Sequence, residues 1–158
     1  EDYQRVRRQL EERFGPVDYD SPELPFTYTE YYTPEMGPNL IRRFLAFREL
    51  CDPYRLAEIK GITNRLEEDC NDDGKRRGNL DPGLLCLGKV ILATTKDQQH
   101  RLPIGQGIYA EVTLRYRNET YEPWEWTYPD YRSVLYQDIF RQIRRLHQEK
   151  LKNRIEQP

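Results

Sequence analysis

His100-Arg-Leu-Pro-Ile104, Gly105-Gln-Gly107, Ile108-Tyr-Ala-Glu-Val-Thr-Leu-Arg-Tyr-Arg117, Asn118-Glu119 and Thr120-Tyr-Glu-Pro-Trp-Glu-Trp126 follow one another without interruption. Two turn signals separate runs rich in β-branched and aromatic residues, the pattern of an antiparallel meander. A three-residue glycine loop with Ile104 opposite Ile108 sets Pro103 opposite Tyr109 and Arg101 opposite Glu111. A second turn at Asn118-Glu119 pairs Arg117 with Thr120, which brings Arg115 beside Glu122, Thr113 beside Trp124 and Glu111 beside Trp126. Strand alternation then gives one plain apolar face of Ala110, Val112, Leu114 and Tyr116. The other face carries Arg101, Tyr109, Glu111, Thr113, Arg115, Glu122, Trp124 and Trp126. It is too aromatic for simple solvent exposure, so a helix covers it or it binds something.

Working outward, Tyr3, Val6, Leu10 and Phe14 recur at helical spacing over residues 2–14, and Gly15-Pro16 ends that helix. Residues 24–32 read as a strand or an extended arm. Leu40, Ile41, Phe44, Leu45 and Phe47 suggest a helix over 39–50. Asp52-Pro53 has the form of a cap followed by a first-turn proline. Leu56, Ile59, Leu66 and Cys70 carry a helical stretch with Gly61 as a break, and Asn71-Asp-Asp-Gly74 is a loop. Asp81-Pro82-Gly83 is expected to cap a helix over 84–96, although Val90-Ile-Leu92 also suits a buried strand. Leu135, Ile139, Ile143, Leu146, Leu151 and Ile155 form the stripe of a final helix over 133–155. The expected fold is a single α+β domain over 1–158, a mostly antiparallel sheet (hairpin and meander 99–126) with packed helices.

Composition narrows the classes. The 158 residues suffice for one core without disulfides or metals, but only 37% are apolar and 33% are charged. Twelve tyrosines compensate in part, each burying a ring while its hydroxyl needs a partner. A formal net charge of −2 argues for no partner. Its distribution says more: residues 1–73 hold ten basic against seventeen acidic groups, whereas residues 131–158 hold seven basic against three acidic. The basic last helix suits phosphates or an acidic partner, or is a solvated face of snorkelling arginines. Cys51, Cys70 and Cys86 lack C-x-x-C spacing and only two histidines are present, which argues against zinc and for reduced thiols in the cytoplasm. No apolar run reaches the ~20 residues that span a bilayer.

The polar candidates lie between Gly74 and Tyr131. Gly74-Lys-Arg-Arg-Gly78 is either a phosphate loop using Lys75 and Arg76 or an exposed basic turn. Asp81 is a metal ligand or general base, or simply a helix cap. Lys96 and Arg101 could clamp a phosphate while His100 transfers a proton. Against that, the register turns His100 toward the Val112 face and makes Arg101–Glu111 an ordinary cross-strand pair. Glu111 among Tyr109, Trp124 and Trp126 is a setting where a carboxyl group can be tuned for acid–base work, or an amphipathic face under a helix. Asp81, Glu111 and Asp130 together could hold a divalent cation. The leading reading is a cleft for a phosphorylated small molecule or nucleotide, with Asp81, Glu111 or His100 supplying chemistry. The alternative is a non-catalytic RNA- or protein-binding module using the aromatic face and Arg144 and Arg145 of the last helix.

Taken together, Phe26-Thr-Tyr-Thr-Glu-Tyr-Tyr32, Glu35-Met-Gly37, Gly74-Lys-Arg76, Asn79-Leu-Asp-Pro-Gly83, Ala93-Thr-Thr-Lys-Asp97, His100-Arg101, Gly107-Ile-Tyr-Ala-Glu-Val-Thr-Leu114 and Trp126-Thr-Tyr-Pro-Asp-Tyr131 resemble a bacterial family. It is catalogued as domain of unknown function number 4416. The resemblance implies a single-domain cytoplasmic protein whose relatives begin with an additional apolar strand, so an N-terminal strand is expected to be missing here. It brings no established activity or catalytic residues. Some relatives carry a GTP-binding label, but a P-loop needs G-x-x-x-x-G-K-[ST], and here Gly74-Lys75 is followed by Arg76 with no preceding strand.

Overall fold

Residues 2–27, 40–71 and 78–155 are described in a computed structural model of the chain. The chain falls into two compact units, Glu1–Cys51 with Gly61–Leu80, and Asp52–Lys60 with Asp81–Pro158.

In the first unit, helix α1 (Asp2–Phe14) forms as its spacing requires. It stops because Gly15, at φ 86°, turns the backbone left-handed while its N–H donates to Glu11 O at 2.9 Å. Strand β1 (Val17–Asp20) follows, then β2 (Leu24–Pro25), β3 (Ile41–Arg42) and β4 (Leu45–Phe47). β1 pairs with β4 and β2 with β3, both antiparallel. The helix expected over 39–50 is therefore corrected to two short strands. Ile41, Phe44 and Phe47 favour extended backbone as readily as helix, and strand partners upstream decide between them. Ser21 reinforces the choice, its buried hydroxyl accepting from Phe44 N at 2.9 Å. Of the extended segment expected over 24–32, Leu24–Pro25 is strand and residues 28–32 lie outside the described residues.

Asp52 Oδ1 accepts from Tyr54 N at 2.9 Å and opens a 3-10 turn, Pro53–Arg55, as its Asp-Pro pair predicts. Helix α2 (Leu56–Asp69) runs on from it without a break at Gly61, correcting that expectation.

The second unit is built on one sheet of β5 (Gly83–Leu85), β6 (Lys89–Thr94), β7 (Leu102–Gly105), β8 (Ile108–Arg117) and β9 (Thr120–Pro123). The order is β5-β6-β8-β7 with β9 also on β8, every pairing antiparallel. The helix expected over 84–96 is the hairpin β5–β6 instead. Gly83 and Gly88 weaken a helix there, while Val90, Ile91 and Thr94 stiffen a strand. Gly83 also marks a close approach: a Cβ on it would stand 2.5 Å from Ile91 O.

The β7–β8 register holds at Pro103↔Tyr109, but Ile108 pairs with Gly105 and not with Ile104. The loop is thereby two residues, Gln106 and Gly107, at φ 56° and 72°, both left-handed as tight hairpins require. Arg117↔Thr120 and Arg115↔Glu122 pair as expected around Asn118 and Glu119, at φ 52° and 61°. β9 ends at Pro123, so the expected Thr113–Trp124 and Glu111–Trp126 strand pairs are corrected. Proline offers no N–H to extend the ladder, and the chain turns away as Trp124 N donates to Thr127 Oγ1 at 2.8 Å.

A bulge in β8 corrects the expected faces. Val112 pairs with Ile91 while Leu114 pairs with the adjacent Val90, which leaves Thr113 as an extra residue. Alternation changes sign there, so Val112 and Leu114 lie on opposite faces. One face, with Ala93 and Ile108, receives Leu56 and Ala57 of α2. On the other lies Tyr121, fully buried, 6.1 Å ring to ring from Phe140 of helix α3 (Val134–Ile155). Tyr136, Ile139 and Phe140 are the buried positions of α3, whereas Leu135 and Ile155 from the expected stripe are exposed.

Candidate functional site

The strongest convergence of candidate residues is a polar cluster inside the second unit. Glu111 is 1% exposed. Its Oε1 lies 2.7 Å from His100 Nε2 and accepts from Arg101 Nε at 3.1 Å, while Oε2 accepts from Thr113 Oγ1 at 2.9 Å. Arg101 is equally committed: NH1 donates to Lys96 O at 3.0 Å and NH2 to Tyr128 Oη at 3.2 Å. A carboxylate and a guanidinium removed from water require such saturation, because either charge alone would be costly to bury.

An aromatic stack runs from this cluster. His100 stacks on Trp126 at 5.0 Å, Trp126 on Trp124 at 5.1 Å, and the Arg115 guanidinium sits 4.5 Å over the Trp124 ring. Trp126 is anchored by its Nε1–H, which donates to Val112 O at 2.9 Å. Both indoles are thus engaged within the unit. His100 does not turn into an apolar core as its register suggested; it leaves the strand in a turn and reaches the Glu111 carboxylate.

The other candidates disperse. Lys75 and Arg76 lie outside the described residues. The Lys96 side chain is exposed, and its carbonyl serves the cluster. Tyr109 is half-buried beside Pro103, and Asp130 is buried in the 3-10 turn Pro129–Arg132. Asp81 caps no helix; it precedes β5, exposed, 3.7 Å from the buried Lys60 Nζ. Glu111 lies on β8, and β6 stands between β8 and β5, which sets the two strands roughly 10 Å apart across the sheet, so Asp81 does not join Glu111. Among the described residues no group of three or more His, Cys, Asp or Glu is placed to hold a metal ion, and the set Asp81, Glu111 and Asp130 does not form one.

A second feature, largely missed in the sequence, is a groove of about 290 Å³ lined by Tyr116, Glu119, Arg141, Arg144, Arg145 and Gln148. Its helical wall uses positions i, i+3, i+4 and i+7 of α3, one stripe of a helix; that spacing was the available signal. Its other wall is brought by the β8–β9 turn. Arg144 is fixed by Nε–H donation to Leu87 O at 2.9 Å and by lying 3.7 Å over the Tyr116 ring. Arg141 hydrogen-bonds Asp138 on its own helix. His147, on the same helix, is made less basic by burial and then by the positive field of Lys150 and Arg144.

The family model described as Domain of unknown function (DUF4416) matches residues 1–147. The chain belongs to that family. No curated protein and no solved structure matches it. The DUF4416 match takes in both units, the Glu111 cluster and most of the arginine groove, ending one residue before Gln148. Among the described residues of this DUF4416 chain, no helix is long and apolar enough to cross a membrane.

Proposed function

We propose that this domain binds a phosphorylated small molecule in the groove between α3 and the β8–β9 turn. The observation behind this reading is that, among the described residues, Arg141, Arg144 and Arg145 line one cavity with a single carboxylate, Glu119, opposite them. Guanidinium forks match phosphate oxygens and form charge-assisted hydrogen bonds, the strong kind. Arg144 is already ordered by Leu87 and Tyr116, so less freedom is lost when it meets an anion. Arg145 is exposed and has no hydrogen-bond or ion-pair partner among the described residues. Arg101, by contrast, has its nitrogens engaged by Glu111, Lys96 and Tyr128 and is a structural group here. We also place the protein in the cytoplasm, since its three cysteines, one of them exposed, form no disulfide.

An RNA-binding role for the basic helix is less well supported, because base stacking needs open aromatic faces and both tryptophans are engaged. Calorimetric titration with inorganic phosphate and pyrophosphate tests the proposal. Pyrophosphate is expected to bind more tightly, and Arg145→Glu to weaken it by about tenfold or more with no change in the denaturation midpoint. Absence of binding by either anion, or equal binding by the variant, would overturn it. Steeply salt-dependent binding of single-stranded RNA that pyrophosphate does not compete with would favour the alternative.

A further inference from the structure

The groove contains one residue that a pure phosphate site would not want. Glu119 places a carboxylate in a cavity lined, among the described residues, otherwise by three arginines, a carboxamide and a phenol. It does so from strained backbone: Asn118 and Glu119 are the central turn residues, with Glu119 at φ 61°, where glycine is the favoured occupant. A side chain held at an unfavourable backbone position beside a cavity is a candidate for function. The carboxylate is not drawn into the network next to it. Arg117 and Asn118 both turn to Glu122, with Arg117 Nε and Asn118 Nδ2 donating at 3.0 and 3.1 Å. Among the described residues Glu119 has no ion-pair or hydrogen-bond partner.

We infer that the ligand is a polyhydroxylated phosphate ester, a sugar phosphate rather than a nucleotide, with Glu119 accepting hydrogen bonds from its hydroxyls. This inference rests on the phosphate-binding reading of the same groove. The division of labour follows from the lining. Arginines take the anionic end, while Glu119 and Gln148 offer the acceptors and donors that vicinal hydroxyls use. A nucleobase would need an open ring or apolar wall. Among the described residues Tyr116 is the only aromatic lining the groove, and its ring carries the Arg144 guanidinium at 3.7 Å and the Tyr121 ring edge-on at 5.0 Å.

The test compares four probes, inorganic phosphate, ethyl phosphate, a hexose phosphate and adenosine monophosphate, on the wild-type chain and on Glu119→Gly. The substitution removes the carboxylate and leaves an Asn-Gly pair at the turn, which favours folding of the hairpin. A hydroxyl-to-carboxylate hydrogen bond corresponds to about tenfold in affinity. The hexose phosphate is therefore expected to bind about tenfold more tightly than ethyl phosphate to wild type, and no more tightly to Glu119→Gly. Inorganic phosphate should bind the variant at least as well as wild type. If the hexose phosphate has no advantage over ethyl phosphate, or keeps it in Glu119→Gly, the sugar-phosphate inference is wrong and phosphate binding stands. Adenosine monophosphate binding more tightly than the hexose phosphate would also overturn it. If none of the four probes binds, the proposed function itself fails.

Discussion

Arg101 and Glu111 behave as one unit, because each is the main reason the other can be buried. Removing one partner of such a pair leaves the other charge uncompensated, which costs about 3–5 kcal/mol. Arg101→Ala is therefore expected to lower unfolding stability by that amount in a denaturant titration. Replacing both together, Arg101→Met with Glu111→Leu, should recover most of the loss, since hydrophobic substitutes of similar volume are tolerated where an ion pair is not required. A double variant as unstable as the single one would mean that Thr113, His100 and Tyr128 depend on the pair for more than charge. The sequence revealed this pairing through strand register alone. It could not reveal that His100 joins it, because His100 sits in a turn whose direction no alternation rule governs. An unrelated polar centre went unseen for the same reason: Asp20 accepts from Tyr3 Oη at 2.6 Å and from Arg7 NH1 at 3.0 Å, and pairs with Arg43 at 3.2 Å. Those residues come from different elements with no common motif.

At the scale of elements, the sequence was most readable where chain order and pairing order coincide. β7, β8 and β9 are consecutive, their turns carry the residues left-handed backbone demands, and the register at Pro103 and at Arg115 follows by counting. It was least readable where distant segments decide. Leu45–Phe47 becomes a strand because Val17–Asp20 pairs with it, and Lys89–Thr94 because β8 lies beside it; neither partner is visible in a local window. The arginine groove falls between these cases, its helical wall legible as a stripe and its hairpin wall not. Gly83 gives an element-scale prediction. With a Cβ 2.5 Å from Ile91 O and 2.8 Å from Leu92 Cδ2, Gly83→Ala forces the β5–β6 hairpin apart. Such strain typically costs about 1–3 kcal/mol. Hydrogen exchange should show it first as lost protection in β5; unchanged protection and stability would disprove the close approach.

For the whole chain, the tyrosines set an alkaline limit. Tyr3 in the first unit is pushed up to about 12, by burial first and then by its hydrogen bond to Asp20. Tyr121 in the second is also raised, chiefly by burial, and its neutral hydroxyl donates to Cys86 O at 3.0 Å. A raised tyrosine pKa means that the folded state favours the neutral phenol. The stabilisation is complete below the ordinary value of about 10 and is lost as pH rises beyond it. Denaturation midpoints are expected to hold between pH 8 and 9 and to fall steadily toward pH 12. Tyr121→Phe should lower stability at pH 8, by losing its hydrogen bond, yet show a shallower decline. A decline of equal steepness in Tyr121→Phe would assign the effect to other groups.

Thr113 is the residue that β8 does not need for pairing. It has no opposite number on β6 or β9, and that surplus lets it act as a joint. Its hydroxyl reaches the Glu111 carboxylate at 2.9 Å, and its carbonyl accepts the Thr127 hydroxyl at 2.6 Å. A miscount in the ladder thereby couples the buried charge pair to the turn that carries the tryptophans. Shortening the strand by this one residue would tidy its pairing and cut that coupling.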